Sequence, residues 1–248
     1  MKNTIILFEG RTGSTHLATL LQQSPKISFL GEEPAELQSG GWLAQKDWIN
    51  RLFSDPLHFN DTRIKPSAEV IGFRIKLRDV KDLQEFKQLL EQYHVSVIYM
   101  RRLNLVKQTI SSIRAIDLSK ARGYYNLDHQ KHKDGLPAYT ISLKRFDQTL
   151  KWIEDVDLKL QQFIQTLNQP ICEVSYEELL ADRNQTLNKI NQFLGVPTFQ
   201  ARDVIAKHTS DNLRDAISNF DALVSKYQGT VYGEMLMEGI NQESDVVR

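Results

Sequence analysis

Short apolar, β-branched runs alternate along the chain with longer stretches whose apolar residues recur at helical spacing. Residues 4–8 are predicted as a first strand, and residues 13–23 as a helix with Leu17, Leu20 and Leu21 on one face. A short second strand is expected over 27–30 and a helix over 42–53. Residues 70–76 alternate apolar and polar side chains and predict a strand. Residues 80–93 predict an amphipathic helix through Leu83, Phe86 and Leu90. The run 95–100 is the clearest buried strand, followed by a helix over 102–118. Phe146, Leu150, Ile153, Leu160, Ile164 and Leu167 mark a long helix over 143–167. Residues 170–175 predict a strand, and 185–194 a short helix ended by Gly195 and Pro197. This alternation predicts an α/β fold in which a mainly parallel β-sheet is flanked by helices. Ligands of such sheets gather at the carboxyl ends of the strands. The loops after Phe8, Leu30, Lys76, Met100 and Ser175 are therefore the places to look for chemistry.

One stretch breaks the pattern. Residues 119–140 hold Tyr124, Tyr125, His129, His132 and Pro137 with little periodicity, and are expected to form a lid or acceptor loop. The 248 residues otherwise fit a single domain over 1–248. With 31 basic and 31 acidic residues the net charge is zero, which argues against a general nucleic-acid or membrane-surface binder. A compact anion site remains compatible with that sum. The lone Cys172 rules out an internal disulfide and falls in a predicted strand, where a packed thiol is expected. His129 and His132 lie three apart with no third ligand at matching spacing, so no metal is expected. The apolar run 4–8 stops at Glu9, too short for a signal-peptide core, and nothing approaches a membrane span. A cytoplasmic protein without membrane insertion is the expectation.

The chemistry begins after the first strand, in Gly10–Arg11–Thr12–Gly13–Ser14–Thr15. A glycine-rich turn that opens a helix aims backbone N–H groups at an anion, and the helix dipole adds to them. Ser14 and Thr15 bring hydroxyls, and Arg11 a fixed guanidinium. A tight turn capped by Ser14 would give the same letters. No lysine follows Gly13, so the loop is not a Walker A motif, which argues against a kinase or nucleotide hydrolase working with Mg²⁺. A second basic run follows the strand at 95–100. Arg102 can share a ligand with Ser111 only from the strand–helix turn, while Ser111 and Arg114 lie on one helix face. A solvated basic helix is the plainer reading of that run taken alone.

Together these residues resemble the sulfotransferases that use the nucleotide sulfate donor PAPS. Arg11–Thr12–Gly13–Ser14–Thr15 is similar to their 5′-phosphosulfate loop. Residues 102–115 resemble their 3′-phosphate motif, with spacing closest to the bacterial trehalose-type enzymes. Residues 174–179, followed by Phe193–Leu194–Gly195–Val196, resemble a third block, and Leu213–Arg214–Asp215 with Gly229–Thr230–Val231–Tyr232 a fourth. The resemblance implies a P-loop nucleotide-kinase-like α/β fold and sulfuryl transfer from PAPS to a small-molecule hydroxyl acceptor, with no metal. A carbohydrate or glycolipid acceptor and a homodimer are compatible with it. It implies that Arg11, Thr12, Gly13, Ser14, Thr15 and His16 surround the 5′ end, that Arg102, Ser111 and Arg114 hold the 3′-phosphate, and that Tyr176 lies against the adenosine. Lys207 is expected in a loop that closes on the donor. For the base, the stretch Gly31–Glu32–Glu33–Pro34–Ala35–Glu36 offers Glu33 first and Glu36 second, while counting from Pro25 favours Glu32. Lys76 is expected to stabilise charge on the leaving phosphate; Arg74 shares its strand face and Arg78 lies just beyond. Arg11 stands where many relatives carry lysine, His16 replaces a small or apolar residue, and Glu9 is an unexpected acid beside an anion loop. A catalytically degenerate nucleotide-binding protein is the remaining alternative.

Overall fold

The computed structural model describes residues 1–122, 138–202 and 212–238. The chain divides into two compact units, Met1–Leu103 with Val156–Val204 and Asn104–Asp155 with Ile205–Arg248.

The first unit is built on five strands: β1 (Lys2–Phe8), β2 (Ile27–Phe29), β3 (Val70–Lys76), β4 (Ser96–Arg101) and β5 (Ile171–Ser175). They form one sheet in the order β2-β3-β1-β4-β5, and every pairing is parallel. β1 is apolar on both faces because both faces are covered. Ile5 and Leu7 join a core with Phe73, Ile75, Val97 and Tyr99 on one side. Ile6 and Phe8 join Ile98, Met100, Cys172 and Val174 on the other. The first core is closed by α3 (Gly41–Ser54), α4 (Leu83–Gln92) and Leu160, Phe163 and Ile164 of α6 (Leu143–Gln165). The second is closed by α1 (Ser14–Leu21) and α8 (Arg183–Leu194). Cys172 is buried there, and burial pushes its thiol up, as a packed sulfur requires.

The register aligns the strand ends. Phe8 lies opposite both Lys76 and Met100, and Arg101 opposite Ser175. The loop after β1, Lys76, Arg102 and Tyr176 therefore leave the sheet along one edge. Three local details differ from the sequence expectation. α4 starts at Leu83, because the Asp82 carboxylate accepts from the Glu85 amide 2.9 Å away and caps it there. Residues 33–36 coil into a short helix, α2 (Glu33–Glu36). A further helix, α7 (Tyr176–Ala181), follows β5 directly, started by a capping box between Ser175 and Glu178.

The second unit is helical. α5 (Leu105–Arg122) packs Val106, Ile110 and Ile113 against Phe146 and Leu150 of α6. α9 (Leu213–Ala216), α10 (Phe220–Tyr227) and α11 (Val231–Met237) complete this core with Leu213, Phe220, Leu223 and Leu236. Of the expected lid over 119–140, residues 119–122 continue α5. Tyr139 donates from its hydroxyl to the Ile110 carbonyl at 3.0 Å. Residues 123–137, with His129 and His132, lie outside the described residues.

Candidate active site

The loop after β1 is a strained turn. Arg11 has φ 67° and Gly13 φ 85°, both in the left-handed region. For a side chain such as arginine that region costs about 1 kcal/mol, and successive amides bent this way form an anion-binding nest. Gly13 is required twice over. It precedes the first residue of α1 with a backbone that glycine favours, and a Cβ there would stand 2.5 Å from Cδ2 of the Tyr176 ring. The Thr12 hydroxyl donates to the Glu9 carbonyl at 2.8 Å, so it ties the loop together from inside. Ser14 is buried, and the Thr15 hydroxyl accepts from the Arg74 guanidinium at 2.8 Å. His16, half-buried, lies in the first turn of α1.

Two arginines crowd this loop. Arg102 sits in the turn between β4 and α5, as its predicted role demanded, and donates to the Arg11 carbonyl at 3.2 Å. Burial, and after it the charge of Arg102, pulls the Arg11 guanidinium down to about 10. Arg102 also stacks on Tyr176, its guanidinium carbon 4.6 Å from the ring centroid. Glu177 holds the turn from behind: its carboxylate accepts from the Leu103 amide at 2.9 Å and lies 4.0 Å from the Arg102 guanidinium. Arg11, Gly13, Arg102 and Tyr176 therefore come together around one loop.

Across β1 lies a network of paired charges. Glu32 contacts Lys76 directly and lies 3.3 Å from Arg74. Since Arg74 also holds Thr15, Glu32 stands one side chain away from the loop. Lys76 lies 3.6 Å from Asp79 and 5.2 Å from the Phe8 ring centroid. Glu33 turns elsewhere and pairs with Arg63 at 2.6 Å. Glu36 is exposed at the end of α2. Of the three acids it is Glu32, and neither Glu33 nor Glu36, that meets Lys76. The short helix that begins at residue 33 points the three carboxylates apart, which the sequence alone does not reveal.

Glu9 ends the strand side of the loop and is buried. It is only 3% exposed and pairs with Arg78 at 3.2 Å. Burial pushes its carboxyl up to about 7, against the opposing pull of Arg78 and Lys76. The acid beside the anion loop is thus countered by an arginine from the end of β3, and not by Arg11.

In the second unit, Ser111 and Arg114 are both buried on α5. The Arg114 guanidinium lies 4.7 Å from the Tyr139 ring centroid, and burial pulls its pKa down. Lys207 lies outside the described residues. Among the described residues no group of three or more His, Cys, Asp or Glu side chains is arranged to hold a metal ion. No helix among them is long and apolar enough to cross a membrane.

No protein-family model matches the chain, and neither does any curated protein. Solved structures do. A sulfotransferase from Alicyclobacillus acidocaldarius superposes over 96% of this chain and 94% of its own, with a TM-score of 0.51 and 16% identity. The chain has the sulfotransferase fold. The sulfotransferase domain of the curacin biosynthetic pathway covers 98% of both chains at 14% identity, with a TM-score of 0.47. Mouse sulfotransferase SULT7A1 complexed with PAP covers 96% of this chain and 89% of its own at 17% identity, with a TM-score of 0.45. These last two values lie below 0.5 and carry no further weight. The sulfotransferase fold is an α/β fold with a P-loop-like start, which agrees with the expected fold class.

Proposed function

We propose that the protein is a sulfotransferase that moves a sulfuryl group from PAPS to a hydroxyl acceptor. The observation that carries this reading is the loop after β1: a nest of amides at a helix start, with two guanidiniums crowded against it and a tyrosine face alongside. Two half-buried guanidiniums beside a nest of amides make the loop a favourable place for an added anion. Such a site fits a nucleotide phosphosulfate: amides and Arg11 for its 5′ end, Arg102 and Tyr176 for the nucleoside side. On sequence pattern, Ser111 and Arg114 are proposed for the 3′-phosphate, and Lys207 for a closing loop.

PAPS supplies the activated sulfuryl group. The chain's own groups do the rest. Glu32 is proposed as the base in place of Glu33 or Glu36, because its carboxylate adjoins both Lys76 and the arginine that holds Thr15. It takes the acceptor's hydroxyl proton as the acceptor oxygen bonds to sulfur and the sulfur–phosphate oxygen bond breaks. The loop amides and Arg11 then hold the charge left on the phosphate, and Lys76 adds a cation on the acceptor side.

Thermal melting tests the donor. PAP at a hundredfold excess over its dissociation constant is expected to stabilise the fold by about 2.7 kcal/mol, and ATP with Mg²⁺ is expected not to. A shift with ATP–Mg²⁺ and none with PAP replaces this reading with a kinase-type one.

A further inference from the structure

The sheet order places β1 between two sides of one edge. Tyr176 and Arg102 take the β4–β5 side of the loop. On the opposite side a cleft of about 580 Å³ opens along α1. Its described lining residues all belong to the first unit. It is lined by Thr15, the residue that Arg74 ties to the loop, by Thr19 of α1 and by Gln22 just after it. Arg63, Arg74 and Arg202 line it as well, with Phe29 and Leu30. The volume falls in the range of about 300–1,000 Å³ usual for small-molecule sites.

The wall chemistry is one-sided. Three arginines from three separate segments line the cleft, and no carboxylate lines it among the described residues. The neutral polar side chains are already committed: Gln22 accepts from the Phe29 amide and donates to the Arg63 carbonyl, Gln23 makes a reciprocal pair with the Arg202 backbone, and the Thr19 hydroxyl donates to the Thr15 carbonyl. These bonds fix the arginine backbones in position. Arg63 is steadied by Asp61 and Glu33, and Arg74 by Glu32, acids that stand outside the lining. Arg202, whose backbone is clamped by Gln23, makes no ion pair among the described residues and leaves its charge for a ligand.

We infer that this cleft receives the acceptor, and that the acceptor is an anionic hydroxyl compound: one carrying a carboxylate, phosphate or sulfate group that Arg202 and Arg63 bind, while its hydroxyl reaches Thr15 and Glu32. The inference rests on the sulfotransferase reading and adds the acceptor's charge class to it. An uncharged sugar or lipid hydroxyl leaves Arg202 without a partner in the cleft. A charged one gains a hydrogen-bonded ion pair away from the reacting end, which fixes which hydroxyl is presented.

The test uses the full-length protein saturated with PAP and measures equilibrium binding of three probes: glucose, glucuronate and glucose 6-phosphate. Glucuronate or glucose 6-phosphate is expected to bind at least about tenfold more tightly than glucose. Arg202→Ala, and separately Arg63→Ala, is expected to remove most of that margin, while the PAP-induced rise in melting temperature shows that each variant is folded. Tighter binding by only one of the two charged probes tells a carboxylate site from a phosphate site. Equal binding of all three probes, or a margin that survives both substitutions, overturns the inference. Loss of the PAP response in the unaltered protein would instead overturn the donor reading, so the two failures are separable.

Discussion

The two sides of the sheet edge in the first unit solve the problem of charge differently. On the β4–β5 side Arg11 and Arg102 crowd a strained loop, the Tyr176 ring takes the face of Arg102, and Glu177 stands behind it. On the β3–β2 side almost every charge is already answered. Glu32 meets Lys76 and Arg74, Glu9 meets Arg78, and Glu33 meets Arg63. The first side is the one proposed to hold the donor's anion. The second is a network in which each of these carboxylates faces a cation. Donor binding and acceptor chemistry should therefore respond to different substitutions.

The comparison breaks hardest at Gly13. Gly13→Ala puts a Cβ into the Tyr176 ring and forces alanine into a left-handed backbone, together about 3 kcal/mol or more, so PAP affinity is expected to fall by about a hundredfold in calorimetric titration. Glu9→Gln removes a titration. Below about pH 4.5 the carboxyl is protonated whether the chain is folded or not. Between 4.5 and about 7 the folded protein keeps a proton that the unfolded chain releases, so stability falls as pH rises, and the loss is complete above about 7. Urea melts at pH 5 and pH 8 should show a loss of about 3 kcal/mol that Glu9→Gln reduces. Arg102→Ala should weaken PAP binding by about tenfold, since it removes a charged donor and the stack on Tyr176. Glu33→Gln should do least. Its partner Arg63 is half-exposed and also held by Asp61, so stability should change by less than about 1 kcal/mol in the same melts.

Much of this was legible in the sequence for a physical reason. Parallel strands covered on both faces are near-continuous apolar runs, and 4–8 and 95–100 stand out as such, while 70–76 was read from its alternation. The loop Gly10–Thr15 is local, so its glycines and its place between strand and helix survive as a pattern. The carboxylate now proposed as the base was not legible. Glu32, Glu33 and Glu36 have the same chemistry, and what separates them is Arg63, Arg74 and Lys76, more than two dozen residues away. Glu9 found its partner in Arg78 by the same long-range route. Lys76 and Arg74 could be put at one strand end from parity alone, but not their shared acid. α7 had a readable signal in Ser175 and Glu178, the two ends of a capping box, which the strand pattern before it obscured. Arg202 carried none, because a lone arginine after a helix says nothing until a cleft forms beside it.

The division between a donor side and a proton-handling side meets its most direct test in transfer of labelled sulfate from PAPS. A panel of charged and uncharged hydroxyl acceptors would be run with the unaltered protein, Glu32→Gln and Glu33→Gln. The unaltered protein is expected to transfer label, and Glu33→Gln to stay close to it. Glu32→Gln is expected to keep its PAP-induced stabilisation while transfer falls by about a hundredfold or more. Unimpaired transfer by Glu32→Gln, or no labelled product from any acceptor with the unaltered protein, would contradict it.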